Sequence, residues 1–189
     1  MILRTFTEPS HVQQVVDWLK TQSKGASIEI TVANNPGGQV VLLNSIVSEL
    51  KSALSRGVKI NVLFHGDIAS CAAVFFSIVL QMVNEYDQKG SRVYPELTIS
   101  FLSPIYFIFH TPRLNLNQQL FKTNYQQTKH AVDLEMQRLY QIYYPMFESA
   151  FEEFMLWYTT NVHQLNIAKR FELYEDNVDV RFLITGDDS

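Results

Sequence analysis

Three short stretches of this 189-residue chain hold residue types that, brought together, attack a carbonyl carbon. In Gly66-Asp67-Ile68-Ala69-Ser70-Cys71-Ala72 a serine falls where a β-prone run gives way to a stretch apolar almost all round, which sets Ser70 at the N-terminus of a buried helix. A hydroxyl there can be a nucleophile, with the Cys71 N–H beside it as a donor to a developing oxyanion. It can equally be a helix N-cap or a small residue that permits close packing. His110 ends the run Ile105-Tyr106-Phe107-Ile108-Phe109, just before Thr111-Pro112. Its imidazole titrates near neutral pH, so it can take a serine proton or serve as an ordinary structural histidine. Asn35-Pro36-Gly37-Gly38 follows a strand-like run. Consecutive glycines let the backbone reach positive φ and aim N–H groups at a ligand, or form a plain turn.

The elements that must hold these residues follow from hydrophobic periodicity. Val12, Val15, Val16 and Leu19 share a face behind Ser10, which predicts a surface helix capped by that serine. Ser27 to Ala33 alternates and is β-branched, predicting a strand. Val40, Leu43, Val47, Leu50 and Leu54 predict a helix over 40–55 closed by Gly57. Val58 to Phe64 predicts the next strand, completing a strand-helix-strand unit with a parallel crossover. His65 reads as the strand's end and Asp67 as part of a turn leading to a buried helix over 71–82. Leu97–Phe101 and Ile105–His110 read as two β-rich runs separated by Ser103-Pro104. Residues 117–166 read as helices that Pro145 should kink or divide, followed by an acidic tail whose end looks frayed.

One domain accounts for the length. With 47% hydrophobic and 18% charged residues the chain is a folded globular one, and 15 Lys+Arg against 19 Asp+Glu provide no positive excess to attract nucleic acid. Cys71 is the single cysteine, so no internal disulfide is available and a cytoplasmic location is expected. No export signal or membrane anchor is visible, and no cofactor or metal site is expected. His130 with Asp133, and Glu148 with Glu152 and Glu153, have helical spacing but read as solvated helix faces, as does His163.

The glycine loop, the Gly-x-x-Ala-Ser turn and the strand-end His-Thr-Pro, in this order and with a helix and strand between the first two, resemble the proteolytic subunit of the Clp protease (ClpP). The likeness is best over residues 9 to 113. It implies an α/β fold of ClpP/crotonase type, stacked βαβ units with a protruding C-terminal helical arm, in a single domain with core 1–113, arm 114–168 and short acidic tail 169–189.

The resemblance implies a serine peptidase with Ser70 as nucleophile, His110 as base and Asp179 as the acid, Asp176 competing for the last role. It assigns the oxyanion donors to Gly37, Gly38 and Cys71. Arg113-Leu114-Asn115-Leu116 stand where the family has glycines. Implied partners are a peptide or unfolded-protein substrate, further copies of the chain in a homo-oligomer, and a separate ATP-dependent unfoldase. The aromatics between Tyr140 and Tyr158 are expected at subunit contacts. The alternatives are an inactive scaffold of the same fold and a crotonase-type acyl-thioester enzyme.

Overall fold

Period-two runs of β-branched and aromatic residues, separated by amphipathic stretches, form a five-stranded sheet in the order β1 to β5. The computed structural model describes residues 1–112, 125–161, 167–176 and 178–185. The strands are β1 (Ile2–Leu3), β2 (Ser27–Asn35), β3 (Lys59–Ala69), β4 (Leu97–Phe109) and β5 (Val180–Ile184). Between them lie α1 (Pro9–Lys20), α2 (Val40–Ser55), α3 (Cys71–Val83), α4 (Tyr125–Asn161) and α5 (Ile167–Glu175). β1 through β4 are parallel, and β5 is added antiparallel to β4. The chain is therefore α/β with a mixed sheet.

One face of the sheet is buried. Ile30 and Val32 on β2, Ile60, Val62, Phe64 and Ile68 on β3, Ile105, Phe107 and Phe109 on β4, and Val180, Phe182 and Ile184 on β5 lie in the core, while alternate residues stay at least partly exposed. The helices pack in succession, α1 on α2, α2 on α3 and α3 on α4. α3 is buried nearly all round, as its composition predicts, and Phe76 is its main anchor. The Phe76 ring meets Phe64 at 5.1 Å, Phe107 at 4.5 Å, Phe154 at 5.8 Å and Trp157 at 5.3 Å. Edge-to-face and tilted contacts of this kind join sheet, α3 and α4 into one core.

Several boundaries differ from the sequence expectation, each for a physical reason. α1 begins at Pro9, whose fixed φ suits the first helical position, so Glu8 is the N-cap residue and Ser10 sits inside the first turn. β3 does not end at His65 but continues to Ala69, because the Asn34 side chain fills the space beside Gly66 that a Cβ would need, and Asn34 Oδ1 accepts the Asp67 N–H at 3.2 Å. β4 is one strand rather than two: His65 pairs with Leu102 and Gly66 with Ile105, so Ser103-Pro104 bulge out where proline has no N–H to offer the ladder. Pro145 does not divide α4, a single helix of 37 residues and about 55 Å. Past Pro145, Phe147, Ala150, Phe151, Phe154, Met155 and Tyr158 are buried, and this packing outweighs the lost hydrogen bond. Of the aromatics expected at subunit contacts, Phe147, Phe151, Phe154 and Tyr158 thus pack within the chain's own core, whereas Tyr140 is exposed.

Residues read as an acidic tail contain part of α5 and all of β5. β5 alternates buried Val180, Phe182 and Ile184 with exposed Arg181 and Leu183. Its carbonyls at the exposed positions are taken by side chains: Tyr158 Oη donates to Leu183 O at 3.0 Å and Arg170 Nη1 to Arg181 O at 3.3 Å, with the Arg170 guanidinium 5.3 Å over the Phe182 ring. Gly186 to Ser189, the end expected to fray, lies outside the described residues. Among the described residues no helix is long and apolar enough to cross a membrane.

Candidate active site

Ser70 joins β3 to α3 with φ 53° and ψ −126°, a combination a residue with a Cβ rarely adopts. Holding it costs about 1–3 kcal/mol, which the surroundings must offset. Three contacts do so. The Ser70 N–H donates to Ile108 O of β4 at 3.0 Å, Ser70 O accepts the Val74 N–H at 3.0 Å, and Gly37 is pressed so close that a Cβ on it would lie 2.6 Å from Ser70 Cβ and 2.7 Å from Cys71 N. The hydroxyl makes no cap hydrogen bond to α3, so the N-cap role open to a serine at this position is not the one it takes.

The glycine loop is fixed from both sides. Asn35 is fully buried; its Nδ2 donates to Leu3 O at 3.2 Å and its Oδ1 accepts the Gly37 N–H at 2.9 Å. Phe6 pairs with Gly38 as in a parallel ladder: Phe6 N–H donates to Gly37 O at 2.9 Å, and Gln39 N–H to Phe6 O at 2.8 Å. The N–H and C=O of Gly38 itself therefore face away from Phe6. That carbonyl accepts a hydrogen bond from Cys71 Sγ at 3.0 Å, so the Gly38 N–H opens toward the start of α3. Gly37 and Gly38 have φ of 86° and 144°, values glycine alone reaches without strain.

Of the three expected oxyanion donors, Gly37 has its N–H engaged by Asn35, while those of Gly38 and Cys71 have no main-chain acceptor among the described residues. The Cys71 N–H is the first of α3, where the helix dipole adds positive potential. Burial pushes the Cys71 thiol up from 9.0 to about 11, so it remains protonated and serves as a donor, not as a competing nucleophile.

His110 lies just past the last residue of β4, half-buried. Its Nδ1 is 2.6 Å from Thr111 O. A carbonyl can only accept, so Nδ1 carries the proton of this bond, and in the neutral ring Nε2 is then the nitrogen with the lone pair. β4 and β5 pair Ile105 with Ile184 through Phe109 with Val180, so His110 and Asp179 are the residues next to the last pair of the ladder. Asp179 is half-buried just before β5, whereas Asp176 is exposed just past the end of α5. The parallel β3–β4 register, Ala69 with Ile108, puts Ser70 level with Phe109. Ser70, His110 and Asp179 thus occupy neighbouring strand ends at one edge of the sheet, with the glycine loop at the end of β2 beside them; carboxyl ends of parallel strands are where open α/β sheets carry their sites. Among the described residues no hydrogen bond joins Ser70 to His110; the Ser70 hydroxyl lies beside the Cys71 thiol.

The sequence reading missed Asn35 and the Thr111 carbonyl. An Asn two residues before a glycine is an Asx-turn signal that could have revealed the first. Other candidates fall away from the edge. His65 is held within β3 with Nδ1 3.2 Å from Leu102 O, and Asp67 is exposed. Among the described residues no His, Cys, Asp and Glu cluster could hold a metal. Arg113-Leu114-Asn115-Leu116, His163 and the side chains of His130 and Asp133 lie outside the described residues.

No protein-family model matches this chain, and no curated protein matches it.

Proposed function

We propose that the chain is a serine peptidase of ClpP-like fold, acting on peptides or unfolded protein through an acyl-enzyme on Ser70. The observation that carries the reading is the Ser70 backbone, held at positive φ between a parallel strand and a buried helix with its side chain left out of helix capping. Stored strain at such a turn is characteristic of a displayed nucleophile. In the proposed sequence Ser70 Oγ attacks the scissile carbonyl while its proton passes to His110 Nε2. The N–H groups of Gly38 and Cys71 receive the oxyanion. The amine leaves with the proton from His110, and water then releases the acyl group by the same route.

Asp179 would stabilise the imidazolium, sharing with Thr111 O the task of orienting the ring. A homo-oligomer with a separate ATP-dependent unfoldase is the assembly that the resemblance implies, and the single buried, unpaired Cys71 suits a reducing cytoplasm. Among the described residues no hydrogen bond joins Ser70 to His110, which favours a second reading, an inactive scaffold, although catalytic bonds often tighten only with substrate bound.

A fluorophosphonate probe separates the two. Phosphorus–oxygen bond formation at Ser70 with loss of fluoride is expected in the wild type and absent in Ser70→Ala. A wild type that stays unlabelled as monomer and as oligomer overturns the peptidase reading and leaves the scaffold.

A further inference from the structure

We propose that the side chains of Asn35 and Cys71 are positioning residues for the oxyanion site: Asn35 withdraws the Gly37 N–H, Cys71 fixes the Gly38 peptide, and the N–H groups of Gly38 and Cys71 are left as the two donors. The proposal rests on the peptidase reading for its chemistry but on hydrogen bonds alone for its geometry.

Asn35 is fully buried and uses both ends of its amide. Nδ2 ties it to Leu3 of β1, an edge strand, and Oδ1 draws in the Gly37 N–H. A donor already bonded to a buried acceptor is not available to an incoming carbonyl oxygen. The same bond sets the turn of the 36–37 peptide, because an Asx side chain accepting from two residues on closes a ring like a backbone turn. Asn35 thereby settles which donor is withheld and how the next peptide is presented.

Cys71 closes the other side. Its thiol donates to Gly38 O while its own N–H belongs to the first turn of α3, so one residue both supplies a donor and clamps the peptide that supplies the other. Gly38 cannot retreat, since a Cβ there would strike Phe6 main chain, and the Phe6 ladder holds the opposite side. The two donors are in this way locked to each other across 33 residues of sequence by a single S–H···O contact of 3.0 Å. Preorganised donors of this kind act on the transition state and not on ground-state binding, so loosening them lowers kcat and spares KM.

Amide exchange and carbonyl shifts measured by NMR on the full chain test the geometry without any catalysis. The Gly37 amide is expected to exchange at least about 10-fold more slowly than Gly38, and Asn35→Ala to abolish the difference. The Gly38 carbonyl carbon is expected to shift in Cys71→Ala and to return toward its wild-type position in Cys71→Ser, which restores a donor. A Gly37 amide exchanging as fast as Gly38, or a Gly38 carbonyl unmoved by Cys71→Ala, overturns the proposal. On an ester or peptide substrate, Asn35→Ala and Cys71→Ala are expected to lower kcat by about 10- to 100-fold at unchanged KM, with Cys71→Ser recovering most of it. An equal rise in KM would overturn the positioning role. A wild type with no turnover but with a protected Gly37 amide and a responsive Gly38 carbonyl sinks the peptidase reading and supports the assigned geometry.

Discussion

His110 follows Phe109 and Asp179 precedes Val180, the pair that ends the antiparallel ladder between β4 and β5, so the two residues leave the ladder at the same end. Asp179 comes to this end of β4 because β5 returns along it, which the sequence hides behind an acidic, tail-like composition. In the proposed peptidase, with the Thr111 carbonyl accepting from Nδ1, the Asp179 carboxylate would mainly stabilise positive charge on the ring. Asp179→Asn is therefore expected to slow phosphonylation of Ser70 by about 10- to 100-fold, less than the roughly 1000-fold expected for His110→Ala. Asp176→Asn should leave the rate unchanged. Rate constants with the fluorophosphonate probe check the order, and an effect of Asp176→Asn larger than that of Asp179→Asn would reverse the assignment.

The glycine loop predicts a graded response to alanine. At Gly37 a Cβ would lie 2.7 Å from Ala69 O and Cys71 N, and at Gly38 it would meet Phe6 main chain. Backbone cannot swing aside as a side chain can, so each substitution should cost several kcal/mol, on the order of 3 or more. Gly25, at φ 82° with nothing within 4 Å, should lose only about 1–2 kcal/mol to alanine from backbone strain. Urea unfolding of the three variants gives the ranking, and a Gly37→Ala as stable as Gly25→Ala would contradict the close approach.

Cys71 gives the protein a pH signature. Burial holds its thiol at about 11, against 9.0 for a free one. Between those values the unfolded chain has released the proton and the folded chain has kept it. Stability is therefore fully present below pH 9 and falls as pH rises toward 11, by roughly 2 kcal/mol. Cys71→Ala should lack this component, so the stability difference between the two proteins should change across that window. In the native state at pH 8 the thiol should also resist alkylation, and rapid modification before unfolding would show that the burial is wrong.

Tyr174 is 1% exposed, stacked on Phe151 at 4.2 Å and 5°, and its hydroxyl has no hydrogen-bond partner among the described residues. Burial, with Tyr144 and Glu148 nearby, pushes its pKa upward. An unpaired buried hydroxyl costs about 1–3 kcal/mol of desolvation. Tyr174→Phe keeps the stacking and removes that cost, so its melting temperature should be equal to or above the wild type's. A clear drop in Tm would mean that the hydroxyl is satisfied in solution.

What the sequence made legible was what periodicity encodes locally. Val12, Val15, Val16 and Leu19 announced the buried stripe of α1, and the all-round apolarity of 71–82 announced α3. Ser70, His110 and the glycine loop stood out as candidates because residue type and strand-end position are local too. The remainder depends on partners distant in the chain. Gly66-Asp67 has turn chemistry, yet Asn34, 33 residues from Asp67, holds it in the strand. The positive φ of Ser70 comes from Gly37 and Ile108 pressing on it, and no residue next to Ser70 signals that. Pro145 normally interrupts a helix, and only the aromatic face that follows, buried against α3 and β5, keeps α4 whole.

The side chains that occupy the carbonyls of β5 limit how copies of this molecule can join. With Tyr158 on Leu183 O and Arg170 on Arg181 O, the β5 side of the sheet has no vacant acceptors at these positions for a visiting strand. A strand arriving at β5 would have to displace these two side chains, one from α4 and one from α5. An edge guarded in this way disfavours growth of the sheet from copy to copy through β5.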